Sequence, residues 1–206
     1  MRKLTIPLLI TSFLLVFGCA SKPKFTANSE VATAFNRYFS DKSQDYTYRT
    51  KITVYGHELN GILIAKKISD SIHRVVLTTD FGNTLLDFEI GQKSFVKNSI
   101  VEDLDRKIVV NTLRDDFRLL FREKIVSSNV EMTEPDRIMT YEAVEARNLY
   151  KLSYSDKKLI SISKGSRKKE KVSVGFQSEK DIFADKIEIL HRDIKLKIEM
   201  NRMEQQ

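Results

Sequence analysis

Tyr46-Thr47-Tyr48-Arg49-Thr50-Lys51-Ile52-Thr53-Val54 is the stretch on which the fold turns. Tyr46, Tyr48, Thr50, Ile52 and Val54 alternate with Thr47, Arg49, Lys51 and Thr53, so one set shares a buried face and the other a wet one. That period of two predicts a half-buried strand of an antiparallel sheet with one solvated side. Gly56 then turns the chain, and 59–68, 71–79, 83–90 and 93–100 read as further strands at meander-like spacing.

The period changes once. Across 102–124, Val109, Leu113, Phe117, Leu120 and Phe121 fall near every 3.6 residues on an otherwise charged segment, which predicts the longest helix of the chain, its stripe pressed onto a sheet. Strands resume near Val130 and Ile138 and over 148–154, 159–163, 171–176, 186–190 and 194–200. In the last, Ile194, Leu196, Ile198 and Met200 alternate with Lys195, Lys197, Glu199 and Asn201. Upstream, Asn28 or Ser29 would cap a helix over 30–39, with Val31, Phe35, Tyr38 and Phe39 on one side. The fold class that follows is mainly β (α+β): a single curved antiparallel sheet of about ten strands, an incomplete barrel covered by helices.

The N-terminus has its own logic. Met1-Arg2-Lys3 precedes an apolar run from Leu4 to Phe17, and Gly18 stands directly before Cys19. A charged n-region, a short h-region and a small residue before a cysteine form a lipoprotein signal, with 1–18 removed and Cys19 lipidated by palmitate-type chains. The run is short and interrupted for a membrane span, which needs ~20 apolar residues. Two or three acyl chains hold a protein to a membrane far better than one, at about 0.8 kcal/mol per buried methylene. Cys19 is the only cysteine, so no internal disulfide exists and the fold must rest on its core. Residues 19–28 read as a lipidated tether and 29–206 as one domain. Ala20, where an acidic residue would retain a lipoprotein in the inner membrane, points to the outer membrane, and the absence of an acidic export tract points to its periplasmic face.

Loss of Arg2 and Lys3 lowers the formal charge from +7 to +5. The surplus suits an acidic lipid surface more than nucleic acid, which an envelope lipoprotein does not meet. Its densest part, Lys164 to Lys171, reads as a solvated hairpin loop. An enzyme is not expected. His57, His73 and His191 lack ligand-like spacing and read as surface or rim residues, and Asp115 and Asp116 read as the polar side of the helix. No phosphate loop, nucleophile elbow or zinc motif occurs, so neither metal nor cofactor is expected.

What remains is surface and cavity. The concave face of such a sheet can hold an apolar ligand where helices do not fill it. Its lining would be Ile52, Val54, Leu63, Val75, Leu77, Leu86 and Phe88, opposed by Val109, Leu113 and Phe117; the residues by themselves favour the plainer reading, that these pack against each other as an ordinary core. The turn Thr78-Thr79-Asp80-Phe81-Gly82-Asn83-Thr84 has connection chemistry but a phenylalanine at its tip, either a lid on the sheet edge or a membrane contact.

Tyr48 to Gly56, Gly61-Ile62-Leu63-Ile64, and Arg74-Val75-Val76-Leu77 running into Asp80-Phe81-Gly82-Asn83-Thr84-Leu85-Leu86, together with the helical stretch and the closing strands, resemble the outer-membrane receptors of the LolA/LolB lipoprotein-carrier family. The chain departs from those receptors in having no tryptophan and in its basic run. The resemblance implies an unclosed barrel with a helical lid and an apolar cavity for the acyl chains of other lipoproteins, received from a periplasmic carrier. It also implies that Phe81 and Gly82 form a membrane-insertion loop, in a monomer held to the membrane through lipidated Cys19. The alternative is an accessory envelope lipoprotein that binds a protein partner without lipid cargo. A filled core with Phe81 buried would favour that alternative; an open apolar cavity with Phe81 exposed would favour the acceptor.

Overall fold

The computed structural model describes residues 31–179 and 182–203. Cys19 and the residues expected to form the signal and the tether lie outside the described residues. Fourteen strands and one helix follow in order: β1 (Ala32–Phe35), β2 (Asp45–Val54), β3 (His57–Lys67), β4 (Ile72–Thr78), β5 (Thr84–Gly91), β6 (Phe95–Ile100), α1 (Lys107–Leu120), β7 (Lys124–Ser127), β8 (Asn129–Thr133), β9 (Ile138–Glu145), β10 (Asn148–Ser155), β11 (Lys158–Gly165), β12 (Glu170–Gln177), β13 (Lys186–His191) and β14 (Leu196–Arg202). A single 3-10 turn, Glu102–Leu104, precedes α1.

Twelve strands form one antiparallel sheet in the order β6-β5-β4-β3-β2-β14-β13-β12-β11-β10-β9-β8. Two meanders therefore meet at the centre, where the stretch quoted first pairs with the last strand, Ile52 opposite Ile198 and Thr50 opposite Met200. The sheet does not close, and β6 and β8 are its edges. Lys97 and Asn98 are exposed on β6, polar residues of the kind that discourage pairing with another chain.

The alternation read in β2 is the burial pattern found: Tyr46, Tyr48, Thr50 and Ile52 are buried and the residues between them are not. Val110, Leu113, Phe117 and Leu120 of α1 are buried as well. Phe39 sits among Tyr46, Tyr48 and Phe121, with ring centroids 4.9, 5.7 and 5.1 Å away. Tyr48 donates its hydroxyl to the Ala184 carbonyl at 2.9 Å, and burial pushes its phenol well above the usual range.

Two expectations about helices are corrected. The segment expected as a helix over 30–39 contains the strand β1, which pairs antiparallel with β7 as a separate ribbon, Ala34 opposite Ile125. Asn36 then ends the strand by turning its side chain to the Leu120 carbonyl at 2.9 Å while accepting from the Tyr38 amide. A partner strand about ninety residues away satisfied this backbone better than a local helix would. Among the described residues the sheet is accordingly covered by one helix of 14 residues and the β1/β7 ribbon, not by several helices.

Candidate functional site

The loop between β4 and β5 is a built turn. The Thr79 amide donates to the Asn83 carbonyl at 2.8 Å, the Gly82 amide to the Thr79 carbonyl at 3.0 Å, and the Asn83 amide to Thr79 Oγ1 at 3.1 Å. Gly82 has φ +86°, a conformation that suits glycine, and the space where a Cβ would stand is open. Arg49 on β2 reaches the Asp80 carboxylate at 2.9 Å and ties the loop to the sheet. Phe81 is 95 % exposed at the tip. The loop is held, and its one large apolar side chain is held outward.

Of the ten residues expected to line a cavity, Ile52, Leu63, Val75, Leu77, Leu86, Phe88, Leu113 and Phe117 are buried in one continuous core, with Val54 and Val109 packed partly buried against it. Two open cavities among the described residues are lined by other side chains. One, of about 720 Å³, lies between the β1/β7 ribbon and the last strands of the sheet, floored by Phe35, Tyr38, Met132, Met139, Tyr141 and Tyr154. Arg37, Arg137, Asp156, Lys157 and Lys158 also line it. Tyr154 donates its hydroxyl to the Phe35 carbonyl at 2.8 Å and packs edge-on to Tyr141 at 5.4 Å; burial pushes its phenol up to about 12. Two methionines beside three tyrosines make an adaptable wall with a charged, mainly basic border, at a volume typical of small-ligand sites. The cavity is hidden in the sequence because Val31, Phe35, Tyr38 and Phe39 fit a helical stripe, whereas Thr33, Ala34 and Phe35 form one of its walls as a strand.

The second cavity, about 560 Å³, lies by the C-terminal end of α1 and the turn between β5 and β6 and is more polar, with Asp70, Asp115, Arg118, Arg122, Glu123 and Glu145 around it.

Two histidines and one aspartate are placed otherwise than expected. His73 is buried, stacked 4.5 Å from Phe121 and within 2.8 Å of the Phe39 carbonyl, a bond that requires the proton on Nε2. Burial pulls its imidazole below the ordinary value. Asp116 lies not on the polar side of α1 but in the interior at 1 % exposure, with both carboxylate oxygens 2.9 Å from His191 Nε2 on β13. Burial pushes that carboxyl up, and the hydrogen bond from His191 works against the rise. The pair stitches the single helix to the sheet, while His57 is exposed. No group of three or more His, Cys, Asp or Glu residues among the described ones could hold a metal ion, and no described helix is long and apolar enough to cross a membrane.

No family model and no curated protein matches the chain. Among solved structures it is similar to a LolA superfamily protein from Nitrosomonas europaea, with 8% identity and a TM-score of 0.46, over 82% of this chain and 88% of that one. It is also similar to a domain from Vibrio parahaemolyticus described by its name as lipoprotein-sorting at the outer membrane, with 6% identity and a TM-score of 0.42, over 78% of this chain and 83% of that one.

Proposed function

We propose that this chain is a lipid-tethered acceptor of the outer-membrane LolB kind, which takes the acyl chains of other lipoproteins from a periplasmic carrier and helps place them in the membrane, acting as a monomer and without covalent chemistry. The observation that carries the reading is Phe81, 95 % exposed on a turn closed by three hydrogen bonds and an ion pair. A phenylalanine side chain gains roughly 1.5–3 kcal/mol on leaving water, and a turn that holds one outward keeps that gain for an apolar environment outside the fold. The apolar cavity beside the β1/β7 ribbon supplies an acyl-chain site that is open without rearrangement. Its wall residue Tyr38 also belongs to the core cluster, so a chain entering there would run on toward Ile52, Val54, Leu63, Val75, Leu77, Leu86 and Phe88, with Val109, Leu113 and Phe117 of α1 shifting to admit it. Transfer needs only a difference in affinity, since each methylene moved between apolar surroundings of unequal quality shifts the balance by at most about 0.8 kcal/mol.

The packed state of those ten residues favours a second reading, an accessory envelope lipoprotein that binds a protein partner. One experiment separates the two. Residues 20–206 contain every described element, and a labelled lipoprotein is offered to them on its carrier, followed by liposomes. The acceptor reading predicts that the unmutated chain takes cargo and delivers it, and that Phe81→Glu takes cargo but fails to deliver. No uptake by a folded, unmutated chain rejects the acceptor and leaves the partner-binding lipoprotein.

A further inference from the structure

The strand order fixes which turns share an end of the sheet. Val54 pairs with both His57 and Leu196, Val172 with His191, and Leu149 with Gly165. The turns β2–β3, β4–β5, β9–β10, β11–β12 and β13–β14 therefore lie along one rim, from which the β6–α1 connection also leaves, and the other five connections between neighbouring strands of the sheet lie along the opposite rim. The two rims differ in kind. The first carries the two exposed aromatic residues of the turns, Phe81 and Tyr55, the latter 65 % exposed. Its five turns hold six basic residues against two acidic ones, Asp80 and Asp193, and the β6–α1 connection adds Glu102, Asp103 and Asp105 with Arg106, seven basic against five acidic in all; the five opposite connections have six acidic against three basic residues among those described.

Of the rim's acids, Asp80 pairs with Arg49, Asp193 with Lys169 and Asp105 with Lys97, and Glu102 and Asp103 beside β6 have no cation partner among the described residues. Arg192 pairs with Glu170. Among the basic residues of the turns, Arg147, Arg167, Lys168 and Lys195 have no carboxylate partner among the described residues. The turns are also joined to one another: the Tyr55 amide donates to the Lys195 carbonyl and the Arg192 amide to the Lys171 carbonyl, each at 2.8 Å. Tyr55 is held in the left-handed region at φ +48°, an uncommon backbone for an aromatic residue, which fixes it at the turn. β1 runs away from this rim: its start pairs with Ser127, beside the contact of Ser128 with Glu142, and its end accepts from Tyr154. The described chain thus begins at the end of the ribbon nearer the rim.

We infer that this rim is a docking surface for an anionic phospholipid bilayer, in which Phe81 and Tyr55 enter the interface and Arg167, Lys168, Arg147 and Lys195 face the headgroup phosphates. Exposed aromatic rings and unpaired cations along one rim are what such an interface recognises. The inference rests on the proposed reading of the Phe81 loop as a membrane contact and extends it to the basic hairpin. Lateral orientation follows from it: the sheet stands on its rim, with the opposite rim, where acidic residues outnumber basic ones, away from the membrane.

The test is flotation of residues 20–206 with vesicles of phosphatidylglycerol and phosphatidylcholine, and with phosphatidylcholine alone. No carrier or cargo is present, so the result is independent of whether the chain accepts lipoproteins. Expected are preference for the anionic vesicles, loss of that preference at high salt, and about 30-fold weaker partition for Arg167→Gln with Lys168→Gln. Tyr55→Asn, which tolerates the left-handed backbone, weakens partition to both vesicle types, and Lys93→Gln on the opposite rim leaves it within about twofold. Equal partition to both vesicle types, or undiminished partition of the doubly neutralised variant, overturns the inference. Unchanged thermal unfolding of each variant separates lost docking from lost folding.

Discussion

Phe117→Ala tests how far an acyl chain can travel beneath α1. Phe117 is fully buried on the face of the helix that meets the sheet, so its removal loses the transfer energy of the ring and leaves a cavity. Such truncations destabilise by about 3–5 kcal/mol, a large part of the 5–15 kcal/mol typical of a domain. For a domain of this size the midpoint falls by roughly 6–20 °C. Urea unfolding of residues 20–206 reads the loss directly. A palmitoyl lysophospholipid is then titrated in. It stabilises the unmutated chain by mass action, about 2.7 kcal/mol at a hundred times its dissociation constant. In the variant the vacated volume accepts about three methylenes without moving α1, at about 0.8 kcal/mol each. Stabilisation of the variant should therefore exceed that of the unmutated chain by about 2 kcal/mol at equal ligand. Equal stabilisation of the two proteins would refute the extension of the acyl site beneath the helix.

Further perturbations probe the frame of the site. A Cβ at Gly61 would stand 2.2 Å from the Thr78 carbonyl oxygen, a backbone atom, so Gly61→Ala forces β3 and β4 apart and should lose about 1–3 kcal/mol in chemical denaturation. Because burial holds the His73 imidazole below its ordinary value, the unfolded chain binds more protons than the folded one as pH falls. Its contribution is full above the unfolded value of about 6.5 and is lost as pH drops from there through the lower folded value, so stability should decline between pH 7.5 and 5. A His73→Gln variant with a flatter pH profile supports this, and an unchanged slope contradicts it. Asp116→Ala leaves His191 without its partner in a nearly closed site and should cost about 1–3 kcal/mol, while loosening α1 enough to raise amide exchange along the helix.

Most of the frame is legible locally. The strict alternation in β2 and β14 identifies both strands and their buried faces because each strand has one wet side, and the Asp, Gly and Asn around Phe81 specify a turn whatever the rest of the chain does. What escapes local reading depends on partners far along the chain. Val31, Phe35, Tyr38 and Phe39 fit a helical stripe, and only the pairing of Ala34 with Ile125 makes β1 a strand. The 720 Å³ cavity is hidden with it, since Thr33, Ala34 and Phe35 line one side. Asp116 stands in a charged run and looks solvated, and its burial is set by His191, 75 residues later. The basic run Lys164 to Lys171 is the expected hairpin, but its neighbours on the rim follow from the strand order, and no window of sequence contains that order.

Acyl-chain recognition is tested most directly by native mass spectrometry of residues 20–206 with a diacylated lipopeptide and with the same peptide lacking its acyl chains. A one-to-one complex with the acylated peptide alone, weakened when Met139→Asp places a charge in the cavity wall, is the predicted result. Absence of any complex, or equal binding of both peptides, would contradict an acceptor of acyl chains.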